Sequence, residues 1–293
     1  MLTREQLKAV RRVQIRTSHL VTDLFAGQYQ SVFKGRGMEF SEVRLYIPGD
    51  EVRTIDWNVT ARTGVPHVKR FAEERELTVM LLVDASASTR FGSVRQFKSE
   101  LAAEMAALLA FSAIKNNDKV GLVIFSDRIE LALPPRKGNR HVLRVISEVL
   151  NCNPRGRGTD VSLALEHLDR VTKRRCVVFL ISDFFVPDVR RTLKVANEHH
   201  DVIAVALEDP RDFDLPSVGL LSLEDPETGA RCIVDTSDAR VRQGFAAARA
   251  TARNERDRML RAADVDAIRV RTDQPYAVSL HRFFRERERR RSL

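Results

Sequence analysis

The sequence predicts an α/β protein: a Rossmann-like, doubly wound, mostly parallel six-stranded sheet with a small β-rich N-terminal region and one inserted β-hairpin. Three observations lead there. From residue 77 onward, short apolar runs alternate with segments whose apolar residues recur at helical spacing, the order of a sheet covered on both faces. Two of the runs, LTVMLLVD (77–84) and CVVFLISD (176–183), are almost continuously apolar, as strands buried on both sides are. Before residue 76 the pattern changes, and EFSEVRLYI (39–47) alternates apolar with polar side chains.

The elements follow in order. LTVMLLVD opens the sheet, and a helix over 94–115 carries Leu101, Met105, Leu108 and Leu109 on one face. KVGLVIFS (119–126) is the second strand, and IELALPP (129–135) a short third ended by Pro134 and Pro135. A helix over 139–149 leads to the glycine-rich NPRGRGTD (153–160), then to a helix with Val161, Leu165 and Leu168 on one side. CVVFLISD is the fourth strand. Val189, Leu193 and Ala196 mark the next helix, and DVIAVAL (201–207) the fifth strand. Residues 217–236 read as a hairpin turning at Asp225 to Gly229. An Arg/Ala-rich helix over 238–263, a sixth strand VDAIRVRT (265–272) and a helix with Tyr276, Leu280, Phe283 and Phe284 complete the body.

The division falls after residue 75, giving an N-terminal region (1–75) and the α/β body (76–293). In the first, Val43, Leu45 and Ile47 share a face, and Pro48-Gly49 suits the centre of a type II turn. Asp56 and Trp57 are expected to pack this region on the body, because Trp buries a large area. FKGRG (33–37) reads as turn glycines, since it lacks the strand-to-helix setting of a phosphate loop.

Composition narrows the function classes. Of the 293 residues 43% are hydrophobic and 30% charged, the balance of a globular chain. No run of eighteen apolar residues predicts a membrane span, and the first residues lack the apolar core of a secretory signal. Cys152, Cys176 and Cys232 have neither zinc nor redox spacing. They read as reduced thiols of a cytoplasmic protein, with Cys176 in a core strand. The net charge of +9 gathers in the first fifteen residues and in HRFFRERERRRSL (281–293). That tail reads as a solvated helix end in preference to a nucleic-acid surface, because it lacks interleaved aromatic residues.

The strand ends carry the chemistry. Ligands of doubly wound sheets sit beyond the carboxyl ends of the strands, where the order switches direction. There the first strand sets down Asp84, Ser86 and Ser88 at spacing two, and the fourth ends in Ser182-Asp183. The glycine-rich loop brings Thr159 within reach. Two carboxylates and three hydroxyls are oxygen donors suited to a hard divalent cation, and paired carboxylates repel unless a cation lies between them. Each residue also has a plainer role open to it: Ser86 and Ser88, like Thr159-Asp160, fit helix caps, and Asp183 fits a loop hydrogen bond.

Asp84-Ala-Ser86-Ala-Ser88, Thr159 and Asp183 together resemble the metal-ion-dependent adhesion site of von Willebrand factor A (vWA) domains. KGRGMEFSEVRLYIPGDEVRTIDWNVTARTGVPHVKRFAEERE (34–76) is similar to the N-terminal segment of the bacterial domain-of-unknown-function 58 family. The resemblance implies a vWA-like body. It also implies a Mg²⁺ site, with Mn²⁺ or Ca²⁺ as substitutes, held by Asp84, Ser86, Ser88, Thr159 and Asp183. An acidic side chain of a partner would complete the metal shell. The partners it implies are a MoxR-type AAA+ ATPase and client proteins. Many relatives carry N-terminal membrane helices, which this sequence does not.

The rival class is an enzyme, a metal-dependent phosphoryl-transfer hydrolase. An aspartyl nucleophile of the haloacid-dehalogenase kind needs a second Asp where Ser86 stands. A serine hydrolase needs a G-x-S-x-G elbow, and no histidine adjoins these loops. The expectation is a non-enzymatic interaction module, with a nucleic-acid binder acting through the basic tail as the remaining alternative.

Overall fold

The computed structural model describes residues 26–33, 39–72 and 76–291, with single positions at 11, 13, 15 and 17. In chain order, α1 (Ala26–Phe33), β1 (Glu39–Leu45), α2 (Trp57–Thr63) and β2 (His67–Ala72) come first. The body continues with β3 (Thr78–Asp84), α3 (Lys98–Lys115), β4 (Lys119–Phe125), β5 (Ile129–Arg136) and α4 (Asn139–Leu150). Then follow α5 (Val161–Val171), β6 (Val177–Ser182), α6 (Arg190–His199) and β7 (Asp201–Glu208). The hairpin β8 (Leu220–Glu224) and β9 (Arg231–Asp235), helix α7 (Ala239–Ala262), β10 (Asp266–Arg271) and α8 (Tyr276–Arg291) are the last elements among the described residues.

The six-stranded sheet has the order β10-β7-β6-β3-β4-β5. β3 pairs in parallel with both β4 and β6, so the winding reverses beside it and opens the crevice of a doubly wound sheet. Alternation along β3 supplies both cores. Val79, Leu81 and Val83 join the layer of α3, α4 and α8; Met80 and Leu82 join the layer of α5, α6 and α7. Every one of the five is essentially inaccessible, and each such side chain contributes roughly 1.5–3 kcal/mol by leaving water.

The third strand departs from the expected picture. β5 is antiparallel to β4 and runs through Pro134 and Pro135 to Arg136. It lies at the sheet edge, where a missing N–H costs no ladder bond. α3 starts at Lys98 and not near 94, because a 3₁₀ turn (Ala87–Arg90) comes first; Glu100 then caps the helix by accepting the Phe97 N–H at 2.9 Å.

The N-terminal region needs two corrections. α1 belongs to the body: Tyr29, Val32 and Phe33 are buried with Phe179, Phe283 and Phe284. The small β-rich part is residues 39–72, where β1 and β2 pair antiparallel. Trp57 does not serve as a packing anchor, since it is 67% exposed, and Leu45 and Ile47 are open as well. Asp56 is a local cap instead, its Oδ1 accepting from Asn58 N–H at 3.0 Å and Val59 N–H at 3.2 Å. The Pro48-Gly49 turn forms as expected, with the Asp50 N–H on Ile47 O at 3.0 Å and Gly49 at φ +112°. Residues 34–37 of FKGRG lie outside the described residues.

The basic C-terminal segment is a docked helix end. Arg287 pairs with Asp201 and Asp266, and Arg290 with Asp266 at 2.8 Å. Among the described residues no helix is long and apolar enough to cross a membrane. The three cysteines are free, and burial pushes the Cys176 thiol up to about 12.

Candidate metal centre

β3 and β6 lie side by side with Val83 opposite Ile181, so Asp84 and Ser182-Asp183 emerge together at the carboxyl end of the sheet. Asp84 is buried there. Its Oδ1 accepts from Ser86 N–H at 2.8 Å and its Oδ2 from Ser182 Oγ at 2.6 Å. The hydroxyls of Ser86 and Ser88 meet at 3.1 Å, and Thr89 Oγ1 donates to Ser86 O at 2.8 Å, closing the 3₁₀ turn. Asp84, Ser86 and Ser88 are thus linked in sequence by hydrogen bonds, Asp84 to the Ser86 N–H and Ser86 Oγ to Ser88 Oγ.

The plainer roles are filled only in part. The Ser86 side chain makes no cap bond to the 3₁₀ turn, and α3 begins ten residues beyond Ser88. Asp160, and not Thr159, caps α5, its Oδ1 accepting from Leu163 N–H at 2.9 Å. Asp183 does bond its own loop, through the Phe185 N–H at 3.3 Å, but its other oxygen faces a buried cation.

The glycine-rich loop is tied to the same place. Glu130 Oε1 accepts from Arg155 N–H (3.0 Å), Gly156 N–H (2.8 Å) and Ser126 Oγ (2.7 Å). Ala87 N–H donates to Arg157 O at 2.9 Å, joining this loop to the Ser86–Ser88 turn. Thr159 Oγ1 donates to Glu227 Oε1 of the β8–β9 turn at 2.7 Å. Gly156 permits the approach, since a Cβ there would lie 2.2 Å from both Ser126 Oγ and Asp127 Oδ1. Gly156→Ala is therefore expected to push the loop off Glu130 and to cost about 1–3 kcal/mol in urea unfolding. A loss under about 0.5 kcal/mol would show that the loop shifts freely.

Lys98, the first residue of α3, was not foreseen from the sequence. Its ammonium, 2% exposed, lies 2.8 Å from Asp183 Oδ2 and 3.3 Å from both Asp212 oxygens. Asp212 Oδ2 accepts the Asp209 N–H at 2.8 Å. Asp209 in turn accepts Ser93 N–H (2.9 Å), Ser93 Oγ (2.5 Å) and Thr272 Oγ1 (2.5 Å). The signal available in the sequence was EDPRDFD after the fifth strand, since it too lies at a carboxyl end of the sheet.

Electrostatics then define the site. Burial, and after it the charge of Asp183, pushes the Asp84 carboxyl up to about 7, against the pull of its Ser182 and Ser86 bonds. Burial works against the Lys98 ammonium, but the charges of Asp183 and Asp212 outweigh it and hold Lys98 above its ordinary range. With all four groups ionised, three carboxylates and one ammonium leave two negative charges, the complement of one divalent cation. Hard oxygen donors and that charge are chemically suited to a hard divalent cation. Among the described residues no three His, Cys, Asp or Glu side chains form a cage by themselves, so a cation here would depend on the hydroxyls. Several histidines are engaged elsewhere: His141 on Val120 O, His200 between Asp169 and Cys176, His281 on Gln28.

Solved structures similar to this chain include an aerotolerance-related membrane protein from Bacteroides fragilis, 16% identical with a TM-score of 0.49, covering 73% of this chain and 99% of that one. The SpRpn10 VWA domain is another, at 10% identity and a TM-score of 0.38, covering 70% of this chain and 94% of that one. An uncharacterized protein of Mycobacterium tuberculosis is 34% identical over 286 residues, 96% of this chain and 89% of the relative. Residues 42–255 match the family described as protein of unknown function DUF58. With that match over most of the body and a relative of such identity along nearly the whole length, the chain belongs to the DUF58 family.

Proposed function

We propose that this protein is a Mg²⁺-dependent protein-interaction module that breaks no bond of its own. The carrying observation is the buried pair Asp84 and Asp183 near the Ser86 and Ser88 hydroxyls, with a residual double negative charge over Asp84, Asp183, Asp212 and Lys98 together. Asp84, Ser86, Ser88, Thr159 and Asp183 would hold the cation, with Mn²⁺ or Ca²⁺ as substitutes. Bound there, the metal supplies a positive charge at the mouth of the crevice for a partner's carboxylate. The chain's own groups orient the donors: Ser182 Oγ and the Ser86 N–H fix Asp84, and Lys98 fixes Asp183. Among the described residues, the hydrogen-bond partners of Asp84 and Asp183 are Ser86, Ser182, Phe185 and Lys98, none of them a histidine. The partner proposed is an AAA+ ATPase of the MoxR type, acting with client proteins.

Calorimetric titration with MgCl₂ and MnCl₂ tests the metal. Asp84→Ala is expected to weaken binding by at least about 100-fold, the upper end of what even indirect ligand support is worth. Binding of a purified MoxR-type ATPase should vanish in EDTA and in Asp84→Ala. Equal binding with and without EDTA would refute the reading. Phosphatase or nuclease activity lost in Asp84→Ala would point instead to a phosphoryl-transfer hydrolase.

A further inference from the structure

The β8–β9 hairpin is a two-stranded unit held at its root and at its tip. At the root, Thr236 N–H and Oγ1 both donate to Gly219 O, at 2.8 and 2.7 Å, and Val218 N–H donates to Thr236 Oγ1 at 3.0 Å. Arg242 Nη1 clamps Thr236 O and Ser237 O at 2.6 and 2.9 Å. Between root and tip the strands leave Leu220 and Ile233 about three-quarters exposed, at 76% and 74%. One face of the arm is thus open, while Leu221, Leu223 and Val234 on the other are only half-buried, so no fully buried apolar side chain holds the two strands down.

The tip is shaped to present one carboxylate. Asp225 Oδ1 accepts Glu227 N–H at 3.0 Å, Asp225 Oδ2 accepts Thr228 Oγ1 at 2.6 Å, and Gly229, at φ +74°, returns its N–H to Asp225 O at 2.7 Å. Glu227 is thereby placed on the 157–159 loop. Its Oε1 accepts from Thr159 Oγ1 at 2.7 Å, and its Oε2 lies 3.9 Å from where a Gly158 Cβ would be. A Gly229 Cβ would lie 3.9 Å from Arg157 Nη1, so the turn follows the same loop. An acidic side chain of this chain thus already lies against one of the five proposed donors.

We infer that Glu227 is an internal stand-in for the partner's acidic side chain, and that a partner binds by displacing the hairpin tip from Thr159. This rests on the metal-dependent reading of the site. Two carboxylates cannot share the place beside Thr159 without repulsion, so the arm and the partner compete, and apparent affinity falls by the fraction of molecules with the arm seated. A charge-assisted hydrogen bond is strong enough to seat the arm most of the time. Glu227→Gln keeps the shape and removes the charge. It should raise the affinity for an acidic partner about tenfold, the gain when nine-tenths of the molecules start closed.

The hairpin carries its own reporter position, the exposed free Cys232 in β9. A nitroxide at Cys232, in a Cys152→Ser background, reads the motion of the arm. Mn²⁺ affinity and binding of an acetyl-Gly-Glu-Gly amide peptide, with its Gln counterpart as control, read the site. Glu224→Gln, which breaks only the Glu224–Arg231 pair at 2.7 Å, controls for general loosening of the hairpin. The expected result is Mn²⁺ binding retained in Glu227→Gln, a more mobile label and tighter binding of the Glu peptide, with Glu224→Gln like wild type. Mn²⁺ bound by wild type but label mobility and peptide affinity unchanged in Glu227→Gln would overturn the inference and leave the metal site standing. No Mn²⁺ binding by wild type, or equal binding in Asp84→Ala, would overturn both. If peptide binding is too weak to detect in every variant, the label decides: an unchanged spectrum in Glu227→Gln overturns the inference.

Discussion

Lys98→Met is expected to lose about 3–5 kcal/mol of unfolding free energy, the largest stability effect of any single substitution at this site. The reason is what it leaves behind. Asp183 and Asp212 are buried against the ammonium, and with methionine in its place two carboxylates face each other with no cation between them. The ring centroids of Phe91 and Phe185 lie 5.8 and 5.4 Å from Lys98 Nζ. Urea unfolding in EDTA measures the loss, and Lys98→Met/Asp212→Asn should recover part of it. Metal affinity should move the other way. Removing one positive charge takes the site from two negative charges to three, so Lys98→Met should bind Mn²⁺ more tightly while being the less stable protein. A loss below about 1 kcal/mol would mean the pair is hydrated and worth no more than a surface bridge. Tighter folding together with weaker metal binding would reverse the charge argument.

The strands that position the site were legible because nothing in them competes with a buried strand. β3 is apolar from Val79 to Val83 and β6 from Val177 to Ile181, and their parallel pairing brings Asp84 and the Ser182-Asp183 end out of the sheet side by side. The spacing of Ser86 and Ser88 drew attention to them, but it is the 3₁₀ turn over 87–90, and not strand alternation, that brings their hydroxyls together. Lys98 was not readable. A lysine in the first turn of an amphipathic helix looks solvent-facing, and only the meeting of the β6 and β7 ends shows that two carboxylates await it. Trp57 misled for a related reason: its area predicts burial, but it stands at the start of a short helix in the small region, 67% exposed. Glu227 lay in a hairpin whose turn was located to the residue, yet its contact with Thr159 joins positions sixty-eight residues apart. Long-range polar pairs leave no local periodicity to read.

In EDTA, Asp84→Asn should be more stable than wild type, and the gap should widen by about 2 kcal/mol between pH 5.5 and 8. The sign follows from Asp84 alone. Its carboxyl is pushed up to about 7 in the folded chain, so unfolding between pH 3.8 and 7 releases a proton. Wild-type stability from this group is fully present below its ordinary range and is lost as pH rises through 7. Asparagine carries no such loss, and its amide oxygen still accepts the Ser86 N–H. The difference between the two proteins is the right observable, because His200 works in the opposite direction. Burial lowers its proton affinity, so it weakens the fold as pH drops through its ordinary 6.5, equally in both proteins. Mg²⁺ should then invert the order. At a free concentration of about 100 Kd a ligand bound only by the native state contributes about 2.7 kcal/mol, and wild type alone should gain it in full. The gain should be larger at pH 8, where Asp84 is already ionised and no proton competes with the metal. A gap constant from pH 5.5 to 8 would remove Asp84 as the titrating group. Equal stabilisation of both proteins by Mg²⁺ would remove it as a ligand, and the cation would then have to be held by the Asp183–Asp212 side of the site.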